Sequence, residues 1–309
     1  MIINTKAIFK KYRNRFIKYS YVDRNCFLPE QYEASIIRLY HTIEKGLSYE
    51  DYRAGFGKDN IDALLTTLEK YSSEGFDISS FVYETALSCL YEYIRKNREY
   101  GYEDVELQER IYRLPGKPNS YGGTKRILPP ISPDKMSFKQ LLMTRHSIRH
   151  FSTVPVSLEK LKEAIEIAQY TPSACNRQSW KTRIVLNKRI IKSILDNQNG
   201  NRGFGNEIDK LLIITTDLRA QQKEREAFQA FIDGGMYAEN ILNALYYLNI
   251  GAVPLSAALS MEQEKNVRQA IDIDDAEVII LFVGVGNYPD NEILVTKSER
   301  KKPLIKIIE

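Results

Sequence analysis

The sequence predicts an α+β protein in which an all-helical N-terminal region precedes a domain whose sheet is covered by helices. Three observations carry this expectation. Up to residue 113 the apolar residues recur at helical spacing, with no strong strand pattern. A stretch crowded with proline and glycine then interrupts the periodicity. Beyond it, continuous apolar runs alternate with helical segments, and short runs of that kind suit strands buried on both faces.

The helical region, residues 1–113, contains three apolar faces in order. Tyr32, Ile36, Leu39, Tyr40 and Ile43 form the first. Asp59, read as an N-cap, precedes Ile61, Leu64, Leu65, Leu68 and Tyr71. Ser80 precedes Val82, Ala86, Leu87, Leu90, Tyr93 and Ile94. Gly46, after His41-Thr42-Ile43-Glu44-Lys45, reads as a helix C-cap. Residues 114–134 hold five prolines and three glycines, so a linker or surface crossover without regular structure is expected there.

From residue 135 to 309 the second domain is expected. Ser137 caps a helix running into Arg145, and Ser157 caps another with Leu158, Leu161, Ile165 and Ala168 inward. Strand candidates follow near Thr182, Leu211 and Val278, with a long helix between about Glu224 and Asn249. A chain of 309 residues is long enough for two domains and for a core without disulfides.

Composition excludes several classes. A net charge of +4 is too small to argue for nucleic acid, and the tyrosines are scattered along the chain. Cys26, Cys89 and Cys175 lie far apart without a CxxC, which argues for a reducing compartment. With only His41, His146 and His150 beside them, no metal-ligand set stands out. The start of the chain lacks the apolar core of a signal peptide and no apolar run spans a bilayer, so a cytoplasmic location is expected. Six basic residues between Lys6 and Lys18 interleave with Ile8, Phe9, Tyr12 and Phe16. That pattern suits either an interfacial membrane helix or a helix docked on protein, and docking is preferred.

Four segments bear on chemistry. Arg145-His146-Ser147-Ile148-Arg149 sets two guanidinium forks and a hydroxyl after a helix, apt for phosphate and carbonyl oxygens, though a solvated basic helix end reads similarly. Pro172-Ser173-Ala174-Cys175-Asn176-Arg177-Gln178-Ser179-Trp180 joins small residues, which admit a flat ligand, to amides that both donate and accept; the alternative is an ordinary turn. Gly251-Ala252-Val253-Pro254-Leu255-Ser256-Ala257-Ala258 reads as a loop offering backbone amides, or as a plain helix-end connection. Lys297, Arg300, Lys301 and Lys302 before Pro303 read as anion-binding or as a solvated tail. Cys175 reads as a small packing residue rather than a redox thiol. The glycines do not form a dinucleotide fingerprint between strand and helix.

Taken together and in this order, R-H-S-x-R, P-S-x-x-N-x-Q-x-W, a G-x-x-P segment, a strand into VGVGNYP and basic residues before P-L, the chain from about Ser137 to Glu309 resembles the nitroreductase family. The resemblance implies a mixed α+β sandwich that dimerises with FMN at the interface. Arg145, His146 and Ser147 would lie at the phosphate and ribityl end, and Arg149 at the flavin N1/C2 carbonyl edge. Pro172, Ser173, Ala174, Asn176 and Gln178 would border the pyrimidine edge. Pro254, Leu255, Ser256 and Ala257 would face the N5/O4 side, and Arg300 and Lys301 would close on the phosphate. Ser179 replaces the usual proline before the tryptophan, and Ser256 stands where an acidic residue is common. The implied activity is hydride transfer from NADH or NADPH through flavin N5 to a small nitroaromatic or quinone-like acceptor, with no protein side chain as catalytic acid or base. The alternative is a specialised flavin-binding protein whose helical half is an interaction module.

Overall fold

A computed structural model describes residues 28–221 and 226–309, together with residues 9, 10, 13 and 14. The basic N-terminal segment lies outside the described residues except for those four, and the start of the long helix expected from Glu224 lies outside them too. Of the four, Phe9 sets its ring edge-on to Phe228, with centroids 5.9 Å apart.

The chain divides into two compact units, one comprising Met1–Lys11 with Ile127–Ile293 and the other Tyr12–Arg126 with Leu294–Glu309. In the helical unit, α1 (Pro29–Leu47), α2 (Lys58–Ser73), α3 (Phe81–Glu99) and α4 (Val105–Tyr112) bury the faces predicted from periodicity. The Ser80 hydroxyl accepts from the Tyr83 amide and caps α3 as expected. Gly57, with φ of 70°, precedes α2, so Asp59 lies in the first turn rather than at the cap. Gly46 is inside α1, which ends at Ser48; there the Phe56 ring lies where a side chain would otherwise be.

Part of the proline-rich stretch is regular after all. Thr124–Ile127 forms β1 and pairs with β6 (Ile293–Thr296) in a two-stranded sheet. The turn before β1 is gripped from two helices: buried Glu44 of α1 accepts from the Gly123 amide at 3.0 Å, and Glu92 of α3 accepts from the Thr124 amide. Lys297 reaches back to the Ser120 and Gly122 carbonyls. Sequence periodicity cannot report this pairing because its strands are four residues long and far apart in the chain. The segment from Leu294 onward therefore clusters with the helical unit, not with the domain expected to run to residue 309.

In the second unit a four-stranded sheet has the order β2-β3-β5-β4 and is antiparallel at every pairing, with β2 Trp180–Val185, β3 Lys210–Asp217, β4 Gly251–Ser256 and β5 Glu277–Gly286. The apolar runs are β3 and β5, as expected. Gly251–Ser256, read as a loop, is the edge strand β4, with Gly251 opposite Gly286 and Ser256 opposite Leu281. Pro254 sits on this edge, where a missing N–H is tolerated.

Helices cover the sheet. They are α5 (Phe138–Thr144, with a Ser137 capping box), α6 (Leu158–Ala168, capped by Ser157), α7 (Lys188–Asp196), α8 (Gln229–Tyr247) and α9 (Met261–Ile271). Tyr237, Ala238, Ile241 and Leu245 of α8 join Leu212, Ile214, Val283 and Val285 of the strands in one core. Among the described residues no helix is long and apolar enough to cross a membrane.

Candidate functional site

Arg145 follows directly from the end of α5, where the backbone turns extended. The strand-like segment after it is tied down at each end. The Ile148 amide donates to the Ala252 carbonyl of β4 at 2.9 Å, and the Ser152 amide donates to the Asn287 carbonyl beyond β5 at 2.9 Å. Ile148 and Phe151 are buried. Gly286 is needed here, because a Cβ on it would run into the Phe151 ring. Glu207 accepts from the Phe151 amide at 3.2 Å and meets His150 Nδ1 at 2.7 Å.

This anchoring leaves the two guanidiniums half-buried. Arg145 Nη1 is enclosed by protein and has no hydrogen-bond partner there, a costly state for a charged donor. Close to it are Tyr288, whose phenol burial pushes well above the usual range while Arg145 opposes the shift, and buried Tyr246 of α8, which donates to Thr144 at 3.0 Å. The Arg149 guanidinium lies 6.0 Å from the Phe204 ring centre, within cation–π range.

The second segment is a tight turn built around Ala174–Asn176. Cys175, Asn176 and Gln178 have φ of 52°, 56° and 47°, left-handed values at three non-glycine residues within four positions. Their surroundings impose this. The Ala174 amide faces both oxygens of buried Asp233 at 3.3 Å, and the Ala174 carbonyl accepts from Arg177 Nε at 3.0 Å. Arg177 Nη1 also donates to the Ala220 carbonyl and to Glu226. The Gln178 amide donates to the Ser173 hydroxyl. Cys175 is exposed, which corrects its reading as a packing residue: the positive φ turns it outward.

Asp233 and Arg177 were not among the predicted site residues. A signal for the first was present, since Asp233 falls on the same helical face as Ala230, Tyr237 and Ile241, where a carboxylate needs a specific partner.

The two segments lie at opposite ends of the unit. The turn at Ala174 contacts Asp233, whereas Thr144, beside Arg145, contacts Tyr246; thirteen residues of α8 separate those contacts, roughly 20 Å along its axis. The sheet gives the same picture. The Asp217 amide donates to the Ser179 carbonyl and Asp217 pairs with Glu277, at one end of β5, while Gly286 packs on Phe151 at the other, roughly 30 Å away.

The remaining predicted residues divide similarly. Ser256 is exposed at the end of β4, with its carbonyl accepting from Gln198 Nε2 at 3.0 Å; Pro254 and Leu255 belong to the strand itself, and Ala257 follows it. Arg300 and Lys301 belong to the helical unit, where Arg300 donates to the Ser298 carbonyl and Lys301 pairs with Glu33 of α1.

The sequence profile of the nitroreductase family matches residues 142–203 and 196–287. A protein of Archaeoglobus fulgidus, named for NADH dehydrogenase and NAD(P)H nitroreductase activity, is 26% identical over 153 residues, which is 50% of this chain and 86% of that protein. A Streptococcus pyogenes protein named as an NAD(P)H nitroreductase is 46% identical over 54 residues, 18% of this chain and 27% of its own length. Among solved structures, an FMN-dependent nitroreductase from Clostridium difficile has 19% identity and a TM-score of 0.43, covering 53% of this chain and 90% of that one.

Proposed function

Since this chain belongs to the nitroreductase family through residues 142–287, we propose that it is an FMN-dependent oxidoreductase acting as a homodimer. The observation that carries the reading is the Arg145 guanidinium, enclosed at Nη1 with no protein partner at the end of the R-H-S-x-R segment. A buried, permanently charged fork of this kind fits a phosphate, which would supply the missing acceptor. When bound, FMN would accept hydride from NADH or NADPH at N5 and hand electrons on to a small acceptor, nitroaromatic or quinone-like.

The chain's own residues divide the work of holding it. Arg145, His146 and Ser147 bind the phosphate and ribityl end. Arg149 presents positive charge to the N1/C2 carbonyl edge, which favours the reduced, anionic ring. Asn176 and its neighbours Pro172, Ser173, Ala174 and Gln178 border the pyrimidine edge. Pro254, Leu255, Ser256 and Ala257 line the other side. Arg149 and Asn176 thus address the same ring, yet in one chain the segments that carry them meet α8 at Tyr246, through Thr144, and at Asp233, through Ala174, roughly 20 Å apart along its axis. A second copy that supplied Asn176 would bring both to one flavin. That separation supports a two-fold dimer with each site shared between subunits.

Stopped-flow mixing of the flavin-loaded protein with NADH or NADPH tests the activity. Bleaching of the flavin band, followed by its return on adding a quinone or nitroaromatic, is the expected result. Bound flavin that neither nucleotide reduces would refute the enzyme and favour a flavin-binding module.

A further inference from the structure

We propose that Gln169 is a positioning residue: it passes the polarity of the Trp180 indole through Gln178 to Asn176, so that Asn176 turns an N–H donor outward. The proposal rests on the flavin reading, because the group that receives this donor is a carbonyl oxygen on the pyrimidine ring of FMN held by the second subunit.

Three hydrogen bonds form the relay. Trp180 Nε1 donates to Gln169 Oε1 at 2.9 Å, Gln169 Nε2 donates to Gln178 Oε1 at 2.9 Å, and Gln178 Nε2 donates to Asn176 Oδ1 at 2.9 Å. A primary amide taken alone can face either way. Here the direction is set at both ends, since an indole nitrogen only donates and the Asn176 main-chain carbonyl, which accepts from Gln178 Nε2 at 3.2 Å, only accepts. Gln169 must therefore turn its oxygen to Trp180 and its nitrogen to Gln178. Gln178 repeats the choice, and Asn176 is left with its oxygen engaged and its Nδ2 directed elsewhere.

Both ends of the relay are rigid. Trp180 is buried and stacked on Tyr237, with centroids 4.7 Å apart and the rings within 8° of parallel. Gln169 closes α6, its amide donating to the Ile165 and Glu166 carbonyls. The backbone of Asn176 is held left-handed between Asp233 and Arg177. Asn176 itself is exposed, so an oriented donor faces outward from a fixed backbone. Gln169 lies outside the P-S-x-x-N-x-Q-x-W segment and has no predicted contact with the ligand.

Gln169→Glu is the decisive variant. A carboxylate still accepts from Trp180 and keeps the side chain's size, but it cannot donate to Gln178, so Gln178 Oε1 faces negative charge while its Nε2 is still called for by the Asn176 carbonyl, and the fixed orientation of the Asn176 amide is lost. The expected result is an FMN dissociation constant raised about ten-fold, with the melting temperature held. The effect should vanish in the Asn176→Ala background, because coupled residues are not additive. Wild-type affinity in Gln169→Glu, or additive losses in the double variant, would overturn the proposal. The side-chain amide resonances of Asn176, recorded without flavin, separate the two levels. If they do not move in Gln169→Glu, the relay does not exist. If they move while wild-type protein fails to bind FMN, the relay stands and the flavin reading falls, taking with it the assigned recipient.

Discussion

Arg145 and Arg149 are four positions apart, and the proposed site gives them different roles. Arg145 has an enclosed donor with no protein partner, and Arg149 lies against Phe204. A phosphate contact binds oxidised and reduced flavin about equally, whereas a charge at the N1 edge discriminates between them. Arg145→Ala is therefore expected to raise the FMN dissociation constant about ten-fold or more, and Arg149→Ala chiefly to lower the flavin potential. Titration and potentiometry of the two variants check this, and matching effects on both quantities would refute the assignment.

Glu277 makes a second prediction at this scale. It is 2% exposed, and Arg183, Thr215 and Lys181 bond it; Arg183 does most to hold its carboxyl down at about 2, against burial. The folded value lies below the ordinary ~4.3, so the stabilisation is complete above about pH 5 and is lost as pH falls through about 2. Glu277→Gln should cost about 3 kcal/mol at neutral pH, because it leaves Arg183 without its buried counter-charge. Denaturant titrations at several pH values should show wild type and variant converging in acid. A constant gap down to pH 2 would contradict the assignment.

At the scale of elements, the helices were legible because their signals are local. Ser80, Ser137 and Ser157 each cap the helix they precede, and the apolar faces behind them are the buried ones. β3 and β5 were legible as unbroken apolar runs. β4 was not, because Gly251, Pro254 and Ser256 carry turn chemistry that pairing with β5 overrides. β1 and β6 were hidden for a different reason, since each is stabilised by partners that sequence spacing cannot reveal, among them Glu44, Glu92 and Lys297. The site divided likewise. Arg145 and Asn176 stood in recognisable strings, whereas Asp233 was marked only as a carboxylate on an apolar helix face and Gln169 carried no local mark.

The turn into β1 is testable. A Cβ on Gly122 would collide with the Thr85 carbonyl oxygen and the Cys89 amide nitrogen, both backbone atoms of α3 that cannot swing away. Gly122→Ala should therefore destabilise the helical unit by about 2 kcal/mol, as overpacking does. Thermal melting followed by circular dichroism measures it, and an unchanged melting temperature would show that the turn does not press on α3.

For the whole molecule, the distance along α8 between the contacts of Thr144, beside Arg145, and of Ala174, beside Asn176, is the reason a site shared between two subunits is proposed. Mixed dimers test this. Refolding Arg145→Ala chains with an equal amount of Asn176→Ala chains yields hybrid dimers with one intact and one doubly defective site. About a quarter of wild-type activity should return, since half of the dimers are hybrid and half of their sites are whole. No recovery, with hybrid dimers demonstrably formed, would place both residues in the same subunit's site.

The central claim is that residues 142–287 bind FMN. Its most direct test is an equilibrium titration of the purified protein with FMN, read by flavin fluorescence, after any flavin already present has been released by heat and identified by chromatography. The account predicts a yellow protein that releases FMN, rebinds it at one flavin per chain and loses that binding in Arg145→Ala. A colourless protein whose addition leaves FMN fluorescence unchanged would contradict it.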